Sequence, residues 1–218
     1  MSDFWELLTP DEAAEMERRG RRRRYRRGAV IFREAEPCHA VIVLVAGRVK
    51  VTSNTQGGTE VVLAVRGPGA LLGEFSAIDG GVYSGTVQAL EPVAALVVPL
   101  AEFTGYLQAH GRVGYLLMRL LVSRLRDADR KRIEFGAHDT TGRVAARLLE
   151  LAERFGQPGP DGIAIALPLS QDELAGWTGA SREAVSKALG TLRGAGAIHT
   201  SRLRVVVRDL DLLRDRVR

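Results

Sequence analysis

Short runs of β-branched and aliphatic residues, broken by turn signals, dominate the first half of the chain. Val41-Ile42-Val43-Leu44-Val45, Val49-Lys50-Val51, Val61-Val62-Leu63-Ala64-Val65 and residues 94–98 each have strand length. Ala46-Gly47, Gln56-Gly57-Gly58 and Gly67-Pro68-Gly69 separate them. Many short strands at regular spacing predict a barrel or roll over residues 28–99, behind a short helix at 10–19. The period then changes. No proline occurs between Pro99 and Pro158, and Gly114, Leu117, Leu121, Leu125, Ala128, Arg132 and Phe135 follow alternating three- and four-residue steps. That pattern is the seam of a long helix over residues 112–135. Such a seam needs a partner, and a second copy of the chain is the simplest one. Packing of the stripe on the chain's own roll is the alternative. Arg132 weakens the seam at its far end.

Gly136-Ala137-His138 forms a predicted hinge, and Asp139 an N-cap. The helix it opens carries Val144, Leu148, Leu151 and Phe155 on one face and meets Gly156 at a C-cap position. A loop over 157–162 and a strand over 163–167 follow. Ser170-Gln171-Asp172-Glu173 then reads as a capping box. Ala175 is small where two helices cross closely, and Gly179 supplies a positive φ in the turn. Ser181 caps a second helix whose buried face is Val185, Ala188, Leu189 and Leu192. Arg182, Glu183, Ser186 and Lys187 share its opposite face near the N-terminus, where a helix-turn-helix presents side chains to the major groove. Arg and Lys suit guanine N7 and O6, and a Glu carboxylate suits the cytosine amino group. Beyond Gly196, residues 198–200 and 204–207 read as a two-stranded wing. Its Arg202 and Arg204 are candidate phosphate contacts, with exposed strand charge as the bland alternative. Ser170, at the first helix start, joins the DNA-binding set.

Composition adds bounds. At 218 residues, 45% hydrophobic and 26% charged, the chain suits two modest globular domains. Its longest apolar run, 41–46, is strand-sized, so no membrane partner is expected. Met1-Ser2-Asp3-Phe4-Trp5-Glu6 lacks the basic-then-apolar order of a signal peptide, which leads us to expect a cytoplasmic protein. One cysteine, Cys38, excludes an internal disulfide or a cysteine-ligated cluster within one subunit. The net charge is +5, yet residues 137–218 hold 12 basic and 10 acidic groups. Charge is therefore compatible with nucleic acid, and the DNA case rests on the motif. No nucleophile–base pair, metal spacing or Walker loop appears, and His39, His110, His138 and His199 are scattered, so neither an enzyme nor a haem or redox sensor is expected.

With these motifs in hand, the chain resembles the catabolite activator protein family, the CRP–FNR superfamily, over nearly its whole length. Gly28-Ala29-Val30-Ile31-Phe32-Arg33-Glu34 looks like that family's first roll strand. Val45-Ala46-Gly47-Arg48-Val49-Lys50-Val51 looks like its central turn, and Gly73-Glu74-Phe75 like the start of its phosphate-binding cassette. Asp139-Thr140-Thr141-Gly142-Arg143-Val144-Ala145 is similar to the opening of its DNA-binding domain, and Gly179-Ala180-Ser181-Arg182-Glu183-Ala184-Val185 to its most specific motif. The resemblance implies an α+β protein: a cyclic-nucleotide-binding-type β-roll sensor over 1–110, a dimerisation helix over 111–136 and a winged helix-turn-helix over 137–218. It further implies a homodimer that reads near-palindromic double-stranded DNA, with RNA polymerase and an unidentified small ligand as further candidate partners. A sensor regulating through protein contacts is the alternative. Lys187 stands where cyclic-AMP-type members carry an arginine, and loss of the bidentate fork implies a different half-site.

The sensor departs further from the pattern. Cyclic-AMP-binding members follow the Gly-Glu pair with an arginine and a small hydroxyl residue. Here Ser84 and Gly85 take those places, and Ala128 and Asp129 replace the hydroxyl residues that reach the adenine. The degenerate pocket then comprises Gly73, Glu74, Phe75, Ser84, Gly85, Ala128 and Asp129. A phosphate would face Glu74 without a compensating arginine, so cyclic AMP is not the expected ligand and no cofactor is assigned. A different ligand, a ligand-free active state and control by another protein all stay open. Finally, residues 18–27 hold eight arginines, which the family normally lacks. They suggest a DNA-backbone contact, a site for an anionic ligand such as a dinucleotide, or merely a solvated edge strand.

Overall fold

The computed structural model describes residues 3–165, 170–201 and 204–217. The first half opens with a 3-10 turn (Phe4–Leu7) and α1 (Pro10–Arg19). Thr9 and Glu12 close a reciprocal capping box, and Pro10 supplies a pre-set φ at the first helical position. Eight strands follow: β1 (Arg21–Tyr25), β2 (Val30–Phe32), β3 (Ala40–Ala46), β4 (Val49–Asn54), β5 (Glu60–Arg66), β6 (Leu71–Leu72), then α2 (Glu74–Asp79), β7 (Thr86–Ala89) and β8 (Val93–Pro99). They form two four-stranded sheets, ordered β1-β8-β3-β6 and β2-β7-β4-β5. This is the roll.

The unbroken apolar run at 41–45 has a simple cause. In β3 the odd positions Val41 and Val43 join Phe4, Met16, Phe103 and Tyr106 in one core, while Ile42 and Leu44 join Val49, Val87 and Ala89 in another. A strand covered on both faces has no polar side, so alternation disappears. The covering helices are α1, α3 (Leu100–Ala109) and the start of α4 (Gly111–Ala137). The long helix predicted at 112–135 is present, whereas α3 goes unnoticed in the sequence pattern.

The seam on α4 is shifted from its predicted register. Leu117 lies in the core of the roll beside Val113, and Leu116 is buried too, so the predicted position 117 is spent internally. The exposed apolar stripe runs one residue later at first, through Tyr115, Met118 and Val122, and rejoins the predicted seam at Leu125. One face of α4 packs on its own roll, as the alternative reading expected, and a neighbouring apolar face is exposed.

The chain forms two compact units, Met1–Ser53 with Leu63–Asp127, and Asn54–Val62 with Ala128–Arg218, the division falling within α4. The second unit contains the end of α4, α5 (Thr140–Phe155), β9 (Gly156–Gly159), β10 (Gly162–Ile165), α6 (Gln171–Thr178), α7 (Arg182–Gly194), β11 (Ile198–Ser201), β12 (Arg204–Val207) and α8 (Leu210–Asp215). Its sheet is ordered β11-β12-β10-β9. The stretch expected as a loop at 157–162 forms most of β9 and its turn, with Pro158 opposite Ile163. Proline is tolerated there because β9 is an edge strand. The C-terminal part of the predicted strand at 163–167 lies outside the described residues.

α4 continues through Gly136 and Ala137, so the break falls at His138-Asp139. Asp139 caps α5 by accepting the Gly142 amide at 2.8 Å. Across this corner a nearly dry charge cluster ties the helices: Arg147, 4% exposed, pairs with Glu134 of α4 and with Glu150 at 2.7 Å, and Lys131 reaches Glu150 at 3.7 Å. The Arg147 and Lys131 cations also lie over the Trp177 ring of α6, at 5.8 and 5.9 Å.

Candidate nucleic-acid interface and sensor pocket

The recognition end is built from local signals. Ser170 accepts the Glu173 amide at 3.2 Å while Glu173 accepts the Ser170 amide at 2.8 Å, so both groups are occupied in starting α6. α6 ends at Gly179 with φ 59°, and a Cβ there would sit 2.5 Å from the Phe135 ring. Backbone conformation and crowding both call for glycine at this turn. Ser181 then accepts the Ala184 amide at 3.2 Å and starts α7. Val185, Ala188, Leu189 and Leu192 are buried, which leaves Arg182, Glu183, Ser186 and Lys187 exposed on the first two turns.

Arg182 leans toward Asp172 at 3.6 Å, both side chains well exposed, a contact that water and a competing anion readily replace. The carboxyl of Glu183 is held below its usual range by its own backbone amide and the Ser181 hydroxyl. It is therefore an anion at neutral pH, able to accept a hydrogen bond from a base amino group. In the wing, Arg204 is exposed on β12, and Arg193 of α7 donates to Thr200 at 2.9 Å, fixing β11 against the helix. Arg202 lies outside the described residues.

The sensor cassette runs from Gly73 to Thr86. Gly73 has φ 81°, and a Cβ there would crowd the Tyr83 ring at 3.1 Å and the Ala40 carbonyl at 3.2 Å. Glu74 is 1% exposed and bonds Arg124 of α4, which also donates to the Leu71 carbonyl at 2.6 Å. The other oxygen of Glu74, Oε2, has no hydrogen-bond partner among the described residues. Phe75 is exposed, with the Arg124 guanidinium 5.7 Å from its ring centre. Ser84 is exposed, whereas Gly85 is buried. Ala128 and Asp129 are exposed positions of α4, beyond the division between the units.

Comparison with known proteins places this geometry. A cyclic nucleotide-binding domain model matches residues 22–110, and a Crp-like helix-turn-helix domain model matches residues 142–216. The CRP-like cAMP-activated global transcriptional regulator of Mycobacterium tuberculosis is 31% identical over 192 residues, 88% of this chain and 86% of that protein. The chain belongs to the CRP–FNR superfamily of transcription regulators. The cyclic AMP receptor protein of Thermus thermophilus is 30% identical across 98% of the chain and 96% of its own length. The structure of FixK2 from Bradyrhizobium japonicum, 25% identical, superposes with a TM-score of 0.80 over 90% of this chain and 96% of that one.

Two residues of this CRP–FNR chain escape the sequence reading. Tyr83, beside the altered cassette positions, donates its hydroxyl to the Ala40 carbonyl at 2.8 Å and stacks on Phe32 at 3.9 Å. It pins the cassette to β3. Its aromatic character could have signalled a packing role, although nothing in the spacing names Ala40. Arg124 is the second. It stands 50 residues from Glu74, and only folding joins them. Cys38 lies beside Tyr83, and burial raises its thiol pKa, which argues against reactivity.

Proposed function

We propose that this regulator binds near-palindromic DNA as a homodimer and is not controlled by cyclic AMP in the usual way. The observation that carries the first part is the division of α7, with four apolar residues packed inward and Arg182, Glu183, Ser186 and Lys187 presented outward. Self-association is supported by the uncovered stripe on α4. Tyr115, Met118, Val122 and Leu125 are 58%, 57%, 48% and 63% exposed, at the alternating steps that two parallel copies bury against each other. A twofold dimer presents two α7 helices to successive major grooves, about 34 Å apart.

Cassette chemistry favours an effector other than cyclic AMP. Glu74 Oε2 has a spare, buried acceptor that suits a hydroxyl-bearing ligand. The cyclic phosphate finds no such welcome: residues 73–86 contain no arginine or lysine, and Arg124 is engaged with Glu74 and Leu71. The residues therefore fit one half of cyclic AMP and not the other, although similar proteins are named for responding to it. Titration calorimetry and DNA-binding anisotropy with added cyclic AMP test this reading. The expected result is no saturable heat at millimolar nucleotide and unchanged DNA affinity. Micromolar binding that tightens DNA binding contradicts it.

A further inference from the structure

The strand β1, Arg-Arg-Arg-Arg-Tyr, sits at the edge of its sheet, paired on one side only with β8 from Arg21↔Val97 to Tyr25↔Val93. Tyr25 is half-buried against the inner core and anchors the strand, while all four arginines are exposed. Two members of the run are neutralised locally: Arg22 by Glu17 at 2.6 Å, and Arg19 by Glu15 at 2.7 Å and Glu102 at 3.3 Å. Arg18, Arg21, Arg23, Arg24, Arg26 and Arg27 are exposed, and their guanidinium groups have no hydrogen-bonded or ionic partner among the described residues. Charged side chains on an edge strand protect it against edge-to-edge aggregation. Six uncompensated guanidinium groups also repel one another.

Two observations indicate what neutralises them. The run contains no acidic residue and no lysine, and guanidinium is the side chain that forks onto phosphate oxygens. The helix-turn-helix half, residues 137–218, carries only two more basic than acidic groups (12 and 10), a small surplus for a domain facing a polyanion. We infer that β1 and the turn after it form a second, sequence-independent phosphate-binding surface that grips the backbone of the same duplex outside the half-sites read by α7. The inference rests on the DNA-binding reading above.

The test uses the full chain as wild type, as R21Q/R23Q/R24Q/R26Q and as the matching arginine-to-lysine set, each verified by an unchanged melting profile. Affinity is measured against salt on a duplex covering only a selected site and on one extended by about two helical turns at each end. On the long duplex the wild type and the lysine set should bind at least about tenfold tighter than the glutamine set, with a salt slope steeper by roughly 2–4. All three should agree on the short duplex. Equal affinities and slopes for wild type and glutamine set on the long duplex overturn the inference while leaving the recognition helix intact. Equal long-duplex behaviour, with polyglutamate captured by the wild type and lost by the glutamine set, overturns it in favour of an acidic protein partner. If the wild type ignores even the short duplex, the underlying reading falls, and this inference with it.

Discussion

The recognition helix and the sensor cassette treat their polar groups in opposite ways. On α7 the caps and the apolar face use only what the helix needs, and Arg182, Glu183, Ser186 and Lys187 remain exposed to a partner. In the cassette the buried polar groups are turned on one another: Glu74 to Arg124, Arg124 to Leu71, Tyr83 to Ala40, and Ser76 to the Val82 carbonyl at 2.8 Å. One surface spends its chemistry outward, the other on holding its own shape. The difference teaches where substitutions should register: on binding in the first region, on folding in the second.

The largest expected effect is on the outward side. R182A/E183A should lose about three orders of magnitude in specific DNA affinity, since each base-reading contact contributes ~1–3 kcal/mol, with thermal stability nearly unchanged. Fluorescence anisotropy beside a melting curve checks this. A loss of stability matching the loss of binding would erase the contrast. On the inward side, E74Q should destabilise the N-terminal unit by about 3 kcal/mol, because it strands Arg124 against a neutral partner. E74L/R124M, which removes both charges, should recover most of that in denaturant unfolding.

A gain-of-function variant sharpens the comparison further. Ser84 is exposed in the cassette, so S84R should install a phosphate partner at little structural cost. Cyclic AMP affinity should rise by roughly 1.5–3 kcal/mol in calorimetry, the scale of a charge-assisted bond. Absence of any gain would mean that the pocket fails for a reason other than charge.

The smallest expected effect is acid sensitivity at α1. Burial alone would raise the carboxyl of Glu12, but hydrogen bonds from the Thr9 amide and from Arg112 prevail and lower it. A depressed carboxylate contributes stability above the ordinary range, about pH 4.3, and loses it as pH falls through the folded value. E12Q should therefore cost about 1 kcal/mol at neutral pH and flatten the decline in melting temperature below pH 4.3, as read by calorimetric scans.

Most of the recognition end was legible in the sequence because its determinants are local. The Ser170–Glu173 box, the Ser181 cap and the left-handed Gly179 each act within four residues, and the structure has all three. Strands β3, β4, β5 and β8 were legible for the same reason, through β-branched runs bounded by turn signals, and the long helix through its periodicity. What escaped depends on distance in the chain. Arg124 meets Glu74, and Tyr83 meets Ala40, only after the roll closes. The first half of the seam on α4 was placed one residue early, because periodicity alone does not distinguish a face buried against the roll from one left exposed, whereas Leu125 is exposed as expected. The edge strand β9, carrying a proline and two glycines, offered no propensity at all.

DNA recognition by this chain depends on what α7 reads. Selection from a randomised duplex pool at low and physiological salt, followed by sequencing, addresses it directly. The expected outcome is enrichment of two inverted half-sites with centres about one helical turn apart, abolished in R182A/E183A. Enrichment of no sequence at either salt, or of the same sequences by the double variant, would contradict it.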